Sequence, residues 1–259
     1  MDAQIVITNT TQTQTKEREK IMKKFMVTAL AIMGMMSTAN AQDTVEGTVS
    51  ADIVSRYIWR GQALSDAAIQ PSAGLSYKGF SLSGWASIGI VSPGSENKEY
   101  DLTLSYSTGG LNIGVTDYYF STPGAANEYF EYRAHHTQHT FEANVGYDFG
   151  PLAIQWYTNF AGADGVNKSG KRAYSSYFAI SAPFKLATCD WQATFGAVPY
   201  ATSFYSDATG FAVTNLSLRC TKEIPVTKNW GIPVFLEGIC NPSTKKGYIV
   251  AGVTFALPE

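Results

Sequence analysis

The chain reads as an all-β protein: a single antiparallel transmembrane β-barrel of about 12 strands, preceded by a cleavable signal peptide. Three observations predict this fold. Segment after segment alternates apolar and polar residues with the period of two that places successive side chains on opposite faces of a strand. The connections sort into tight turns at one end and longer polar loops at the other, as outer-membrane barrels do and soluble sandwiches have no reason to do. Beyond the N-terminal region no apolar run approaches the ~20 residues of a membrane-spanning helix, so a membrane crossing requires a closed barrel.

Residues 1–21 are polar and disordered in character. At Met22 the chain begins again with Lys23-Lys24, an apolar run from Phe25 to Met36, and Ala39-Asn40-Ala41 ahead of Gln42. A basic start, a short apolar core and a small-x-small end make a secretory signal peptide over 22–41, with 1–21 as an upstream extension and 42–259 as the barrel. The run is too short for an anchor, and Gln42 is not the cysteine of a lipoprotein. Removing 1–41 takes away five of the 19 basic residues and three of the 21 acidic ones, leaving a net charge of −4. Nucleic acid is not an expected partner of such a chain, which lacks a basic face.

Twelve strands follow, near 48–60, 69–78, 80–91, 99–108, 111–121, 137–149, 151–161, 173–183, 190–200, 211–222, 232–240 and 247–257. In the first, Ala51, Ile53, Ser55, Tyr57 and Trp59 share one face, and Asp52, Val54, Arg56, Ile58 and Arg60 the other. Leu102, Leu104 and Tyr106 oppose Thr103, Ser105 and Ser107. Phe141, Ala143, Val145, Tyr147 and Phe149 oppose Glu142, Asn144, Gly146 and Asp148, and Leu152, Ile154, Trp156 and Phe160 oppose Gln155, Tyr157 and Asn159. Lys78-Gly79, Gly109-Gly110 and Gly150-Pro151 form the tight turns, placed on the periplasmic side. Pro183, Pro199 and Pro233 suggest bulges or strand ends, because proline cannot donate to a ladder. Aromatics near strand ends, among them Tyr57, Trp59, Trp85, Tyr118, Tyr157, Trp191 and Tyr200, fit interfacial girdles.

The string Ser55-x-Tyr57-x-x-Arg60-Gly61-x-x-x-Ser65-Asp66, followed by Gln70-Pro71 and by Tyr77-Lys78-Gly79-Phe80 with Trp85, resembles the opening of the uncharacterised Gcw-type family of Gram-negative envelope proteins. The match covers roughly Ser50 to Gly89. It implies an outer-membrane barrel and no particular substrate.

Few residues point to chemistry. The three cysteines, Cys189, Cys220 and Cys240, are an odd number for an oxidising compartment; Cys220 and Cys240 could face each other across a hairpin, or all three could be small residues on the apolar face. All three histidines fall in 135–139, where His135 and His139 share parity in an extended chain and form a weak metal candidate, against a solvated loop rim. A lipid hydrolase would have to use one of these histidines, with Ser121 or Thr140 and Glu142, yet no motif surrounds them. No cofactor is implied and no catalytic residue is assigned.

Charges are tolerated toward the lumen and costly toward lipid, so parity turns Asp52, Arg56, Arg60, Glu142, Asp148, Arg219 and Glu237 inward. They would either line a polar passage or fill a closed barrel with internal ion pairs. The expected function is a porin-like channel or passive transporter for small solutes in the outer membrane of a Gram-negative bacterium. A non-conducting structural or surface-binding barrel is the alternative, and an outer-membrane lipid hydrolase a third. The expected partners are outer-membrane lipid, the barrel-assembly machinery and small solutes.

Overall fold

The computed structural model describes residues 44–91, 98–121, 123, 128–227 and 230–256. The proposed extension and signal peptide lie outside these residues. Fourteen strands occur in the described chain: β1 (Glu46–Val54), β2 (Tyr57–Trp59), β3 (Gln62–Ser65), β4 (Ala68–Tyr77), β5 (Phe80–Gly89), β6 (Lys98–Thr108), β7 (Leu111–Ser121), β8 (His139–Asp148), β9 (Ala153–Gly162), β10 (Ser176–Leu186), β11 (Cys189–Val198), β12 (Ala212–Thr227), β13 (Trp230–Asn241) and β14 (Lys246–Ala256). Twelve of them form one closed antiparallel barrel in the order β1-β14-β13-β12-β11-β10-β9-β8-β7-β6-β5-β4. The other two, β2 and β3, pair only with each other.

Alternation sets what each wall residue faces. Leu82, Leu104, Val115, Val145, Ile154 and Leu218 are all exposed and stand on the outer face, linked across the ladders by pairs such as Leu104↔Val115 and Val145↔Trp156. Their neighbours Ser83, Thr103, Thr116 and Asn144 turn inward, where Thr103 bonds Thr116 at 2.9 Å. An apolar outside around a polar inside is the inverse of a soluble protein and matches what a bilayer requires. The tight turns use glycine where the backbone is left-handed: Gly79 has φ 85° and Gly110 φ 88°.

The first expected strand is corrected. It ends at Val54 and does not run to residue 60. Ser55 closes it by exchanging bonds with Ala251 of β14, its nitrogen to the Ala251 oxygen at 2.8 Å and the Ala251 nitrogen to its hydroxyl at 2.9 Å. The chain then leaves the wall and forms the β2–β3 hairpin. Tyr57, Trp59, Trp85, Tyr118 and Tyr157 are accordingly not girdle residues: Tyr57 packs on Trp85 at 5.4 Å and Trp59 on Tyr118 at 5.6 Å, all inside the barrel.

Of the three prolines expected at bulges or strand ends, Pro183 and Pro233 lie within their strands and only Pro199 follows a strand end. Pro183 pairs with Gln192 in the β10–β11 ladder but lies beyond Ser181, the last β10 residue paired with β9. Pro233 pairs with Glu223, and the β13–β14 ladder starts only at Val234. Each sits where one side of its strand has no ladder, so the missing N–H leaves no partner stranded. Pro199 follows the last residue of β11. Cys220 and Cys240 are not bridged: Cys220 stands opposite Leu236 and Cys240 opposite Leu216, four ladder positions apart, and all three cysteines are free.

Candidate functional site

Hairpin β2–β3 reaches across the lumen at the long-loop end, and its tip is Arg60-Gly61. Both tip residues have positive φ, 51° and 80°, which makes the turn tight enough to project one side chain forward. Gly61 approaches the wall so closely that a Cβ there would lie 1.8 Å from the Thr214 carbonyl oxygen of β12. Its own carbonyl accepts a bond from Asn241 Nδ2 of β13 at 3.0 Å. These contacts leave room for no other residue at the tip.

Arg60 meets the opposite wall. Its Nη1 and Nη2 donate to Glu142 Oε2 and Oε1 at 2.5 and 2.9 Å, a two-pronged pairing. The Tyr118 hydroxyl donates to Oε1 at 2.9 Å and the Tyr205 hydroxyl to Oε2 at 2.8 Å, so the carboxylate accepts four bonds and has no oxygen left over. Arg60 also donates to the Tyr205 hydroxyl. Its guanidinium lies 4.0 Å from the ring of Tyr157, 4.5 Å from Trp59, 4.7 Å from Tyr177 and 5.4 Å from Tyr205. Only 9% of the Arg60 side chain and 2% of that of Glu142 is exposed, which makes this a dry ion pair.

The connection between β11 and β12 adds a second wedge. Thr202 and Ala208 bridge its base, and Phe204, Tyr205 and Ser206 project toward the hairpin. The Ser206 nitrogen donates to Gln62 Oε1 at 2.7 Å, while Asn241 Nδ2 donates to its hydroxyl at 2.9 Å. Outside it, the 163–175 segment is clasped on by Ser203 N to Val166 O at 3.0 Å and Ser175 Oγ to Thr202 Oγ1 at 2.5 Å. Hairpin and wedge meet each other inside the barrel at its long-loop end.

The seven charges expected to line a passage have separate fates. Asp52 faces inward on β1, opposite Thr254. Arg56 does not line the lumen: it lies in the bend after β1, 44% exposed, and pairs with Asp66 at 2.8 Å. Arg60 is inside, but as the tip of a hairpin and not as part of the wall. Glu142 is its buried partner. Asp148 ends β8 and accepts the Gly150 nitrogen at 2.7 Å, which makes it a turn cap. Arg219 and Glu237 face inward as direct ladder partners, 4.0 Å apart, with Arg219 over Phe235 at 3.5 Å.

Among the motif residues, Ser55 seals β1 to β14, Tyr57, Arg60 and Gly61 build the plug, and the Ser65 hydroxyl bonds the Asp66 carbonyl at 3.0 Å. The sequence reading missed two inward carboxylates, Glu99 and Asp101 on β6, and the tyrosines around Arg60. Glu99 falls at a strand start next to a loop, where a charge reads as solvent-facing. The strict parity of Leu102 and Leu104 could have placed both it and Asp101 inside.

His135 and His139 do not share a metal. His135 is exposed in a left-handed turn with φ 67°, and no group of three or more His, Cys, Asp or Glu residues suited to a metal occurs among the described residues. His139 sits on the outer face of β8, fully buried beneath the 128–136 segment. Its Nδ1 faces Asp117 Oδ1 at 2.6 Å and its Nε2 the Tyr129 carbonyl at 2.6 Å; Tyr132 stacks on the ring at 4.3 Å. The hydrolase grouping does not assemble, since Glu142 faces the lumen from the other side of the same strand and Thr140 Oγ1 donates to Ala163 O at 3.0 Å. Within the covering segment, its bonds to the Arg133 guanidinium hold the Glu131 carboxyl down at about 2.

Replacing His139 by phenylalanine strips Asp117 and the Tyr129 carbonyl of their partner. Unfolding free energy in lipid vesicles is expected to drop by about 1–3 kcal/mol. Trypsin should then cut at Arg133 in the folded barrel, whereas an unchanged cleavage rate would show that His139 does not hold the segment down.

No family model and no curated protein matches the chain. Among solved structures, it is similar to a chain described as "Unveiling the Mechanism Behind the in-meso Crystallization of Membrane Proteins", at 6% identity and TM-score 0.44, over 82% of this chain and 83% of that one. It is also similar to a chain of "Salmonella typhi OmpF complex with Daunomycin", at 10% identity and TM-score 0.34, over 85% of this chain and 99% of that one. At these scores neither comparison adds to the strand topology, which by itself makes the protein a closed twelve-stranded antiparallel barrel.

Proposed function

We propose that the protein is an outer-membrane barrel of a Gram-negative bacterium that its own β2–β3 hairpin keeps shut at the outer end. It serves as a closed, surface-presenting barrel and not as a standing pore. Export by a signal peptide over 22–41, insertion by the barrel-assembly machinery and kinship with the Gcw-type family belong to the same proposal. The apolar outer face and the sorting of turns from long loops support the location. The observation that carries the closed state is the Arg60–Glu142 pair, buried and fully hydrogen-bonded across the lumen.

Passage of small solutes would require this contact to break and the hairpin to leave. Two variants in planar bilayers test the proposal. The mature chain should give no sustained open level, and a chain with Tyr57–Ser65 replaced by a short Gly-Ser linker should give one. Steady conductance of the unaltered protein would overturn the closed state.

A further inference from the structure

Between the hairpin and the wall lies a cavity of about 30 Å³ that the plug itself does not use. Tyr57, Leu64 and Ser65 bound it from the hairpin, and Ser87, Glu99 and Phe120 from β5, β6 and β7; Lys98 also lines it, as an exposed residue. Glu99 is 3% exposed, yet its Oε1 has no hydrogen-bond partner. Asp101, two residues on along the same face, also has a buried oxygen, Oδ1, without one. Arg60 gives its hydrogen bonds to Glu142 and Tyr205, so it is a hydrogen-bond partner of neither oxygen. A buried carboxylate with an empty lone pair is expensive unless it meets a cation or donor.

We propose that this cavity binds a primary ammonium group carried on a short apolar stem. An ammonium has three donors. Glu99 Oε1 supplies an acceptor that no other group uses. The hydroxyl of Ser65, whose proton is on the Asp66 carbonyl, and the hydroxyl of Ser87, which already accepts Gln70 Nε2 at 3.2 Å, supply further lone pairs. On the other side the rings of Tyr57 and Phe120 and the Leu64 side chain offer an apolar surface, which suits methylenes and attracts the cation they carry. The donor set is wrong for a transition metal, having one carboxylate and no imidazole or thiolate. The volume suits an ammonium head, which is close to water in size, and a quaternary ammonium has no N–H to give these acceptors. Because Tyr57, Leu64 and Ser65 belong to the hairpin, an occupied site ties the hairpin to β5–β7 independently of Arg60.

Calorimetric titration of n-butylammonium chloride into the refolded mature barrel tests this. Saturable binding is expected for n-butylammonium and none for tetramethylammonium or butyrate. Glu99→Gln should weaken binding by about tenfold or more, as loss of a charged hydrogen bond does. Ser65→Ala, outside the barrel wall and therefore safe for folding, should weaken it severalfold. No saturable heat with the unaltered protein, or equal affinity in both variants, would overturn the site. Tetramethylammonium binding as tight as butylammonium would show a surface charge effect and overturn it as well.

Discussion

Arg60→Ser is expected to lower the unfolding free energy by about 3–5 kcal/mol. The substitution leaves the buried Glu142 carboxyl with two tyrosine donors in place of four bonds, and breaking a buried pair costs more than the pair itself contributes. Arg56→Ser, four residues earlier in the chain, should change stability by only about 0–1 kcal/mol, because its pair with Asp66 is open to water. Urea midpoints of the two variants in lipid vesicles decide the matter. Comparable midpoints would mean that the lumen is wet and Arg60 solvated. In that case Arg60→Ser would shift ion selectivity, where the closed barrel predicts none to measure.

The outer face carries the second large effect. Arginine at Leu104, which stands among apolar neighbours on β5 and β7, should cost about 2–4 kcal/mol near the bilayer midplane. Arginine at the adjacent Ser105, turned to the lumen, should cost clearly less. The same contrast is expected between Val145 and Asn144 on β8. Equal losses on both faces, in refolding titrations with vesicles, would contradict a bilayer around the barrel.

All twelve wall strands were legible from period-two patterning, the first only drawn too long, because one face of each must meet lipid or apolar neighbours and the other cannot. Leu111–Ser121 is a clear example, with Ile113 and Val115 out and Asn112, Thr116 and Tyr118 in. The same period hid the plug. A hairpin lying in the lumen also alternates, so residues 48–60 read as one long strand although the ladder with β14 ends at Val54. Thirteen residues was more than a spanning strand needs, and that excess was the available signal.

The candidate site was legible only in its charges. Glu142 and Arg60 were both expected inside, and a locked pair was one of two readings for such residues. Patterning could not choose between them, because whether two inward charges touch depends on a contact 82 residues apart in the chain. Tyr205 was out of reach for a different reason. It belongs to a loop, and nothing in its surroundings tells a solvent loop from one folded inward.

The seam of the barrel imposes an order on its assembly. β1 pairs with β14, and Ser55 bonds Ala251, 196 residues later, so this ladder is the most distant in the chain and can form only after the last strand has been made. The hairpin follows β1 immediately and takes its anchor points from β8, β12 and β13. It can therefore settle only after those strands are in place. Until β14 has been made, the edge of β1 that it will cover and the aromatic hairpin beyond it have to be kept from other chains.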